Sequence, residues 1–351
     1  MKKIFAWLTQ NHAWQKIGML VVLGIAVHLI LPQITALQNS WQVLTSMILW
    51  AVGLAFLAQI FSYLGSGYML QSILAIAHQK VSLWLDTLIV LGSYSIGMVA
   101  GGVIGSSAAI YQWTSGGKGS MEGATLASIF LPQFNTIILV LVSIFGLIHL
   151  LLVHSLTQAE LIGFGVTLLI LGLIIGGAAL AVRFRDQATK VIVWISSRVV
   201  RLRRKSFDPH TTQQQANDIF GAWDALWHGA WHQPVVGAFL NVAFDMLTLY
   251  FLFIAAGEKV SMSVLLAGYG LPLLLGKVAF IIPGGVGVVE SSMAALYTGL
   301  GVPQATTVVV VLGYRLISFW MTSLAGFPIA AYLQRSQSRS PQNQEAQDLI
   351  R

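Results

Sequence analysis

The chain has 351 residues, 56% hydrophobic and only 9% charged, with a mean hydropathy of +0.77. Soluble domains carry about 25% charged residues, so a conventional water-soluble enzyme is excluded, and the lack of cysteine excludes disulfides, thiolate catalysis, iron–sulfur clusters and cysteine-based zinc sites. The formal net charge of +7 arises from 19 Lys and Arg against 12 Asp and Glu, and almost all of the basic residues lie outside the apolar runs.

A helix that crosses a bilayer needs about 20 mostly apolar residues. Residues 1–16, with Lys2, Lys3 and Lys16, read as a cytoplasmic N-terminus, and 17–36 reads as a retained helix because no small-x-small cleavage site follows it. The run 41–64 is the next span. Residues 81–113 are apolar but interrupted by Gly97, Gly101, Gly102 and Gly105. The runs 123–153, tilted or kinked at Pro132, and 160–182 complete a first membrane half over 17–182. A second half, 234–333, contains the spans 235–256 and 303–333 and, between them, a stretch 261–299 broken by Pro283, Gly284, Gly285 and Gly287. A polar tail, 334–351, closes the chain. The fold class is therefore all-α and polytopic.

Between the halves, 183–233 forms a basic interfacial segment. Arg183 to Lys205 holds eight basic residues. Within 187–205, Val191, Ile195, Val199 and Leu202 recur at helical spacing while Lys190, Arg198, Arg201 and Arg204 take other faces. This is an amphipathic helix suited to anionic inner-leaflet lipids rather than to nucleic acid. Trp223, Trp227 and Trp231 form one helix stripe, the pattern of headgroup-layer anchoring. His228 and His232 share the spacing of a metal pair, but no third ligand accompanies them, so no metal is expected.

Positive charge sets the orientation. Lys80 and Lys118 flank the first broken stretch and both read as cytoplasmic, as do the 183–205 block, Arg335 and Arg339; the connections 37–41 and 154–160 lack Lys and Arg and read as external. These assignments agree only if 81–113 enters from the cytoplasm and returns there. By the same logic 261–299 enters and leaves on the outer side, next to Glu258 and Lys259. Both stretches are predicted to be re-entrant helical hairpins dipping in from opposite faces. Their sequences match once three residues are allowed for: GGVIGSSAAIY from Gly101 and GGVGVVESSMAALY from Gly284. Charge placement and sequence matching are independent, and together they predict an inverted-topology repeat with a site where the breaks meet.

Five ionisable residues lie inside the apolar runs: Asp86, Asp245, Lys277, Glu290 and Arg315. Each is costly against lipid and is expected to face protein or a cavity. Arg315 grips a phosphate bidentately and Lys277 adds a point charge. The freed N–H groups of Pro283, Gly284, Gly285 and Gly287 and the start of the returning arm favour an anion; proline itself has no N–H, so its part is the break. Glu290 either balances Arg315 in the empty site or carries a coupling proton; a purely structural Glu290–Arg315 ion pair is the alternative. Gly101, Gly102, Ser106, Ser107 and Asp245 form a secondary set, although helix-end or packing roles suit Asp86 and Asp245 better. No cofactor and no nucleophile–base pair is indicated, so the chain does not read as an enzyme.

The stretch Pro283-Gly284-Gly285-Val286-Gly287-Val288-Val289-Glu290, with Arg315 after it, resembles the signature of the flippase-like integral membrane family. That family includes the membrane portion of lysylphosphatidylglycerol synthase/flippase proteins and stand-alone bacterial inner-membrane relatives. The resemblance covers roughly 40–335 and is sharpest over 281–320. It implies movement of a phospholipid, or a polyprenyl or glycosylated lipid, between the leaflets of a bacterial inner membrane. Carried over by position, Glu290 and Arg315 are the family-like polar pair and 283–287 the re-entrant break. The first hairpin departs from the pattern at Ala100 and Ser106-Ser107, and a charged pair further along is replaced around Phe134 and Asn135. Only 18 residues follow Leu333, so the relatives' aminoacyl-transferring activity is not implied. A proton-coupled small-solute transporter and a non-transporting partner of an envelope glycosyltransferase are the rival readings, and a homo-oligomer is compatible with each.

Overall fold

A computed structural model describes residues 41–100, 102–116, 120–153, 183–202, 231–278 and 283–338, with isolated helical positions between 158 and 181 and at 213, 220, 221 and 224. The expected span 17–36, most of 160–182, and Gly101, Lys118, Trp223, Trp227 and His228 lie outside the described residues. Among those described there is helix and no strand, and the chain is an all-α polytopic membrane protein.

Helix α1 (Trp41–Thr45) is one short turn. Helix α2 (Leu49–Ile76) has 28 residues, a length of about 42 Å at 1.5 Å per residue. The 41–64 span is thus displaced toward the C-terminus. The reason is that Ser62, Gly65, Ser66 and Ser72, which depress the hydropathy there, are buried against protein rather than exposed to lipid. Helices α3 (Leu83–Val99) and α4 (Val103–Ser115) have 17 and 13 residues. At about 26 and 20 Å, neither crosses a hydrocarbon core of about 30 Å. Helix α5 (Met121–Val153) is long, with Pro132 inside it, and α6 (Arg185–Leu202) is the basic amphipathic helix. The second half repeats the order: α7 (His232–Ala255), α8 (Met262–Val278), a tight turn at Pro283–Gly285, α9 (Val288–Gly299) and α10 (Gln304–Arg315). A π-helical segment, Leu316–Met321, leads without a break into α11 (Thr322–Ser338). Four of these runs are long and apolar enough to span: 49–76, 121–148, 232–255 and 304–336.

The two halves exchange contacts reciprocally. Helices α2 and α7 occupy equivalent places and pack on each other antiparallel. The amide of Ile48 donates to Ala255 O at 2.8 Å, Phe61 and Phe244 lie 5.3 Å apart, and Gly237 faces Met69. The first arm of each hairpin packs on the last span of the other half, α3 on α11 and α8 on α5. Ser95 Oγ donates to Ser323 O at 2.6 Å on one side; on the other, Gly146 faces Ala267 and Gly270 faces Ser143.

Lipid tails are as apolar as leucine, so helix association here depends on close fit and interhelical hydrogen bonds rather than on expulsion of water. The glycines show how close the fit is. A Cβ at Gly237 would lie 2.7 Å from Met69 Cα, and one at Gly65 would lie 2.7 Å from Asn241 N. The buried core runs continuously through both halves, from Met69, Leu70 and Ile73 to Phe253, Tyr297 and Tyr314.

Each broken stretch folds back as a helical hairpin. In the first, the chain turns over Ala100–Gly102, where Gly102 has a φ of +65°, a left-handed conformation that glycine adopts at no steric cost. Of the two roles open to Gly97 and Gly105, part of the break or close helix packing, the structure shows the second. Both lie inside helices, where a Cβ would come within 2.7 Å of Gly102 O and Ala100 O respectively. They are small because the two arms touch there. In the second hairpin Tyr297, near the end of α9, packs on Gly268 and donates to Leu265 O at 3.3 Å, near the start of α8. The arms are therefore antiparallel. The Pro283–Gly285 turn touches α3, so the two hairpins meet tip to flank.

Candidate functional site

A cavity of about 390 Å³ opens where the hairpins meet. Its walls come from α2, the α3–α4 tip, α5, α7, the end of α8, the Gly284–Gly285 turn and the α10–π junction. Of the residues expected from sequence, Arg315, Lys277, Gly284, Gly285, Gly102, Ser106, Ser107 and Asp245 line it. Gly102 and Arg315, 213 positions apart in the chain, thus converge through the reciprocal packing of the halves.

Arg315 ends α10, and its side chain is only 6% exposed. Its Nε donates to Glu290 Oε1 at 2.7 Å and its Nη2 to Gly284 O at 2.8 Å. The guanidinium carbon also stands 4.3 Å from the centre of the Phe319 ring, a cation–π contact. These contacts hold the planar group in one orientation and leave Nη1 without a hydrogen-bond partner among the described residues. Gly284 has a φ of +64°, and a Cβ there would meet the Phe319 ring at 2.2 Å. The turn thus requires glycine twice over, once for its backbone angle and once for the space under the ring.

Glu290 is the third residue of α9, and its Oε2 accepts from the amide of Gly287 at 2.6 Å. Glycine has no side chain to reciprocate, so this is the carboxylate half of a capping box. The carboxylate caps an N-terminus and neutralises Arg315 at once. Neither Glu290 nor Gly287, both expected at the headgroup site, is among the residues that line the cavity; Glu290 is instead the counter-ion of Arg315, one of the roles expected of it. Pro283 opens the turn.

Lys277, in the last turn of α8, donates to Thr136 Oγ1 at 3.1 Å. No carboxylate among the described residues lies within ion-pair distance of it. Asp245 Oδ2 accepts from Tyr269 Oη at 2.8 Å and from Tyr314 Oη at 2.6 Å. Asp86 is not part of this group. It is fully buried in the first turn of α3, and neither of its oxygens has a hydrogen-bond partner among the described residues.

Sequence reasoning missed a polar lattice in the cavity wall. Asn135 Nδ2 donates to Asn241 Oδ1 at 2.5 Å, and Asn241 Nδ2 donates to Ser62 Oγ at 2.8 Å and Ser62 O at 3.0 Å. On the related side Tyr63 Oη donates to Ser318 O at 2.7 Å and pairs with Thr322 Oγ1. Each half thus ties its last span to the other half's first span. A signal existed: Asn135 and Asn241 are the only asparagines within apolar runs. Among the described residues no group of three or more His, Asp or Glu is placed to hold a metal ion.

In the basic helix α6, Arg198 lies over the Trp194 ring at 5.4 Å. At its start Arg185 pairs with Asp224, with Nη1 donating to Oδ2 at 2.6 Å. Val191 and Trp194 are exposed, as befits a helix lying on a lipid surface. Trp231, the described member of the tryptophan stripe, stacks on His232 at 3.9 Å.

Comparison with known proteins agrees with this architecture. The family model described as the lysylphosphatidylglycerol synthase TM region matches residues 17–326. A UPF0104 membrane protein of Methanothermobacter thermautotrophicus is 28% identical over 163 residues, 44% of this chain and 46% of the relative. A UPF0104 membrane protein of Pyrococcus horikoshii is 34% identical over 82 residues, 23% of this chain and 24% of the relative. In both cases less than half of the relative's length is matched.

Proposed function

Because the chain belongs to the lysylphosphatidylglycerol synthase TM-region family, we propose that this multi-pass membrane protein moves a phosphate-bearing lipid between the leaflets of the cytoplasmic membrane. The observation that carries this reading is the cavity at the hairpin junction, with Arg315 and Lys277 in its wall. Carrying a phosphate through hydrocarbon without partners costs far more than thermal energy supplies. A cavity that offers an oriented guanidinium and an ammonium replaces the lost water, while the acyl tails stay in lipid. Arg315 supplies directional hydrogen bonds, held ready by Glu290 and Gly284 O. Lys277, without a carboxylate of its own, supplies net charge.

The hairpins re-enter from opposite faces, with both termini cytoplasmic, and the two halves meet at 183–233, whose basic helix rests on anionic inner-leaflet lipid. Arm lengths support this reading, since none of α3, α4, α8 and α9 exceeds 17 residues. The test is purified protein reconstituted in vesicles that contain lipids with acyl-chain fluorophores, read by chemical quenching from outside. Wild-type protein should expose inner-leaflet label, and Arg315→Lys and Lys277→Gln should slow it. Label that stays in its original leaflet with every phospholipid offered would refute the reading. Uptake of a water-soluble phosphate ester without lipid movement would favour the small-solute transporter instead.

A further inference from the structure

The cationic residues are only part of the lining of the cavity. Asp245 lines it, together with Tyr63, Tyr94, Tyr269 and Tyr314. The rings form two pairs, Tyr63 with Tyr94 at 6.4 Å and Tyr269 with Tyr314 at 6.3 Å. A carboxylate beside tyrosines is an arrangement that can take an alkylammonium group, through hydrogen bonds and cation–π attraction. Gln59 is a second, independent observation. This residue is 4% exposed and also lines the cavity, yet its Oε1 has no hydrogen-bond partner among the described residues. A buried acceptor left unmade is costly. Gln59 and Asp245 line the same cavity, so a ligand that brings N–H donors meets both residues there.

Charge balance points the same way. Arg315, Lys277, Glu290 and Asp245 sum to zero. An anionic headgroup would leave the loaded site with an uncompensated negative charge in a low-dielectric interior, whereas a headgroup with one phosphate and one ammonium leaves it neutral. Resting on the lipid-transport reading above, we propose that the cavity recognises a zwitterionic headgroup, with phosphate at Arg315 and Lys277 and ammonium at Asp245, Gln59 and the tyrosines. The shared chemistry is a phosphate ester carrying an amine, whether attached to a lipid or free in solution.

The experiment has a lipid arm and a solute arm. In the vesicle assay, three lipids with identical tails and phosphoethanolamine, phosphocholine or phosphoglycerol headgroups are compared. Wild-type protein should move the two zwitterionic lipids faster than phosphoglycerol. Asp245→Asn should slow the zwitterionic lipids by about tenfold, the scale of one charge-assisted contact, and speed phosphoglycerol, whose loaded site then carries no net charge. Gln59→Leu, which keeps the carboxylate, should reduce the same preference and serves if Asp245→Asn does not fold. In the solute arm, glycerophosphoethanolamine and glycerophosphoglycerol are tested for thermal stabilisation of detergent-purified protein. Equal movement of all three lipids, with Asp245→Asn and Gln59→Leu affecting them alike, would overturn the ammonium subsite while lipid transport stands. No lipid movement, but stabilisation by glycerophosphoethanolamine that Asp245→Asn abolishes, would refute lipid transport and uphold the subsite for a free solute. No lipid movement and no selective stabilisation would refute both.

Discussion

The Glu290–Arg315 pair makes an unequal prediction for its two members. Both side chains are nearly buried, 5% and 6% exposed, at a separation of 2.7 Å. Arg315 borders the cavity, where water can reach its free Nη1; Glu290 lies behind it with one oxygen on Arg315 and the other on the Gly287 amide. Replacing Arg315 with methionine strands a carboxylate that has no route to water, at a cost of about 3–5 kcal/mol. Replacing Glu290 with glutamine keeps an acceptor for Gly287 and one for Arg315, and it leaves a cation that the cavity can hydrate. The cost is then that of weakened hydrogen bonds, about 1–2 kcal/mol.

The double variant Arg315→Met/Glu290→Gln removes the stranded charge, so it should be more stable than Arg315→Met alone, with a coupling of about 2 kcal/mol. Equilibrium unfolding in mixed detergent micelles, followed by tryptophan fluorescence, measures all three. Equal costs for the single variants, or additivity in the double, would refute the account of Glu290 as a buried cap and counter-ion. In transport the ranking should differ: Glu290→Gln should retain measurable lipid movement, because it leaves the guanidinium in the cavity wall, whereas Arg315→Met should lose it.

Other outcomes follow from the packing. Gly237→Ala drives a methyl into Met69 Cα at 2.7 Å, whereas Gly53, on the same α2–α7 pair, has nothing within 4 Å; melting in detergent should fall by several degrees for the first and stay unchanged for Gly53→Ala. Asn241→Leu breaks its bonds to Ser62 and Asn135, and at the strength of interhelical hydrogen bonds in membranes should cost about 1–2 kcal/mol in the same unfolding assay. Because the chain has no cysteine, Lys80→Cys, Lys118→Cys and Lys259→Cys can be labelled singly with a membrane-impermeant maleimide in whole cells. Position 259 should label in intact cells and positions 80 and 118 only after permeabilisation; a shared side for 118 and 259 would refute opposed re-entry.

The fold was legible wherever composition and a helix-breaking residue spoke together. Apolar length located the spans at 121–148, 232–255 and 304–336, and Pro283 with its glycines marked the second turn to within a residue or two. The first hairpin was read less well because Gly97, Gly102 and Gly105 look alike in sequence but differ in cause. Gly102 is needed for its backbone angle, whereas Gly97 and Gly105 are needed for space between the arms. Hydropathy placed α2 too early for a related reason. A serine that hydrogen-bonds inside a bundle lowers the score as much as one exposed to water, so the buried face of Ser62, Ser66 and Ser72 read as the end of a span. The π segment after Arg315 left no trace in the residue pattern.

At the site, charge was easy to read and partnership was not. An ionisable residue in an apolar run is conspicuous because lipid exposure is so costly, and that rule identified Arg315, Lys277, Glu290 and Asp245. Which of them faces the cavity depends on distances between segments far apart in sequence. Glu290 and Arg315 are 25 residues apart and join directly, but whether the carboxylate or the guanidinium stands in front is set by the turn at Gly284. With phenylalanine 319 wedged against that turn and Gly287 bound to the carboxylate, only the guanidinium is left to face the opening. Asp245 is harder still, because its partners Tyr269 and Tyr314 count as ordinary hydrophobic residues in any hydropathy scan. Their hydroxyls acquire meaning only once α7, α8 and α10 are brought together. In a membrane interior a tyrosine beside a carboxylate is therefore better counted as a polar group than as a core ring, and by that count the cavity here has two kinds of polar lining rather than one cationic patch.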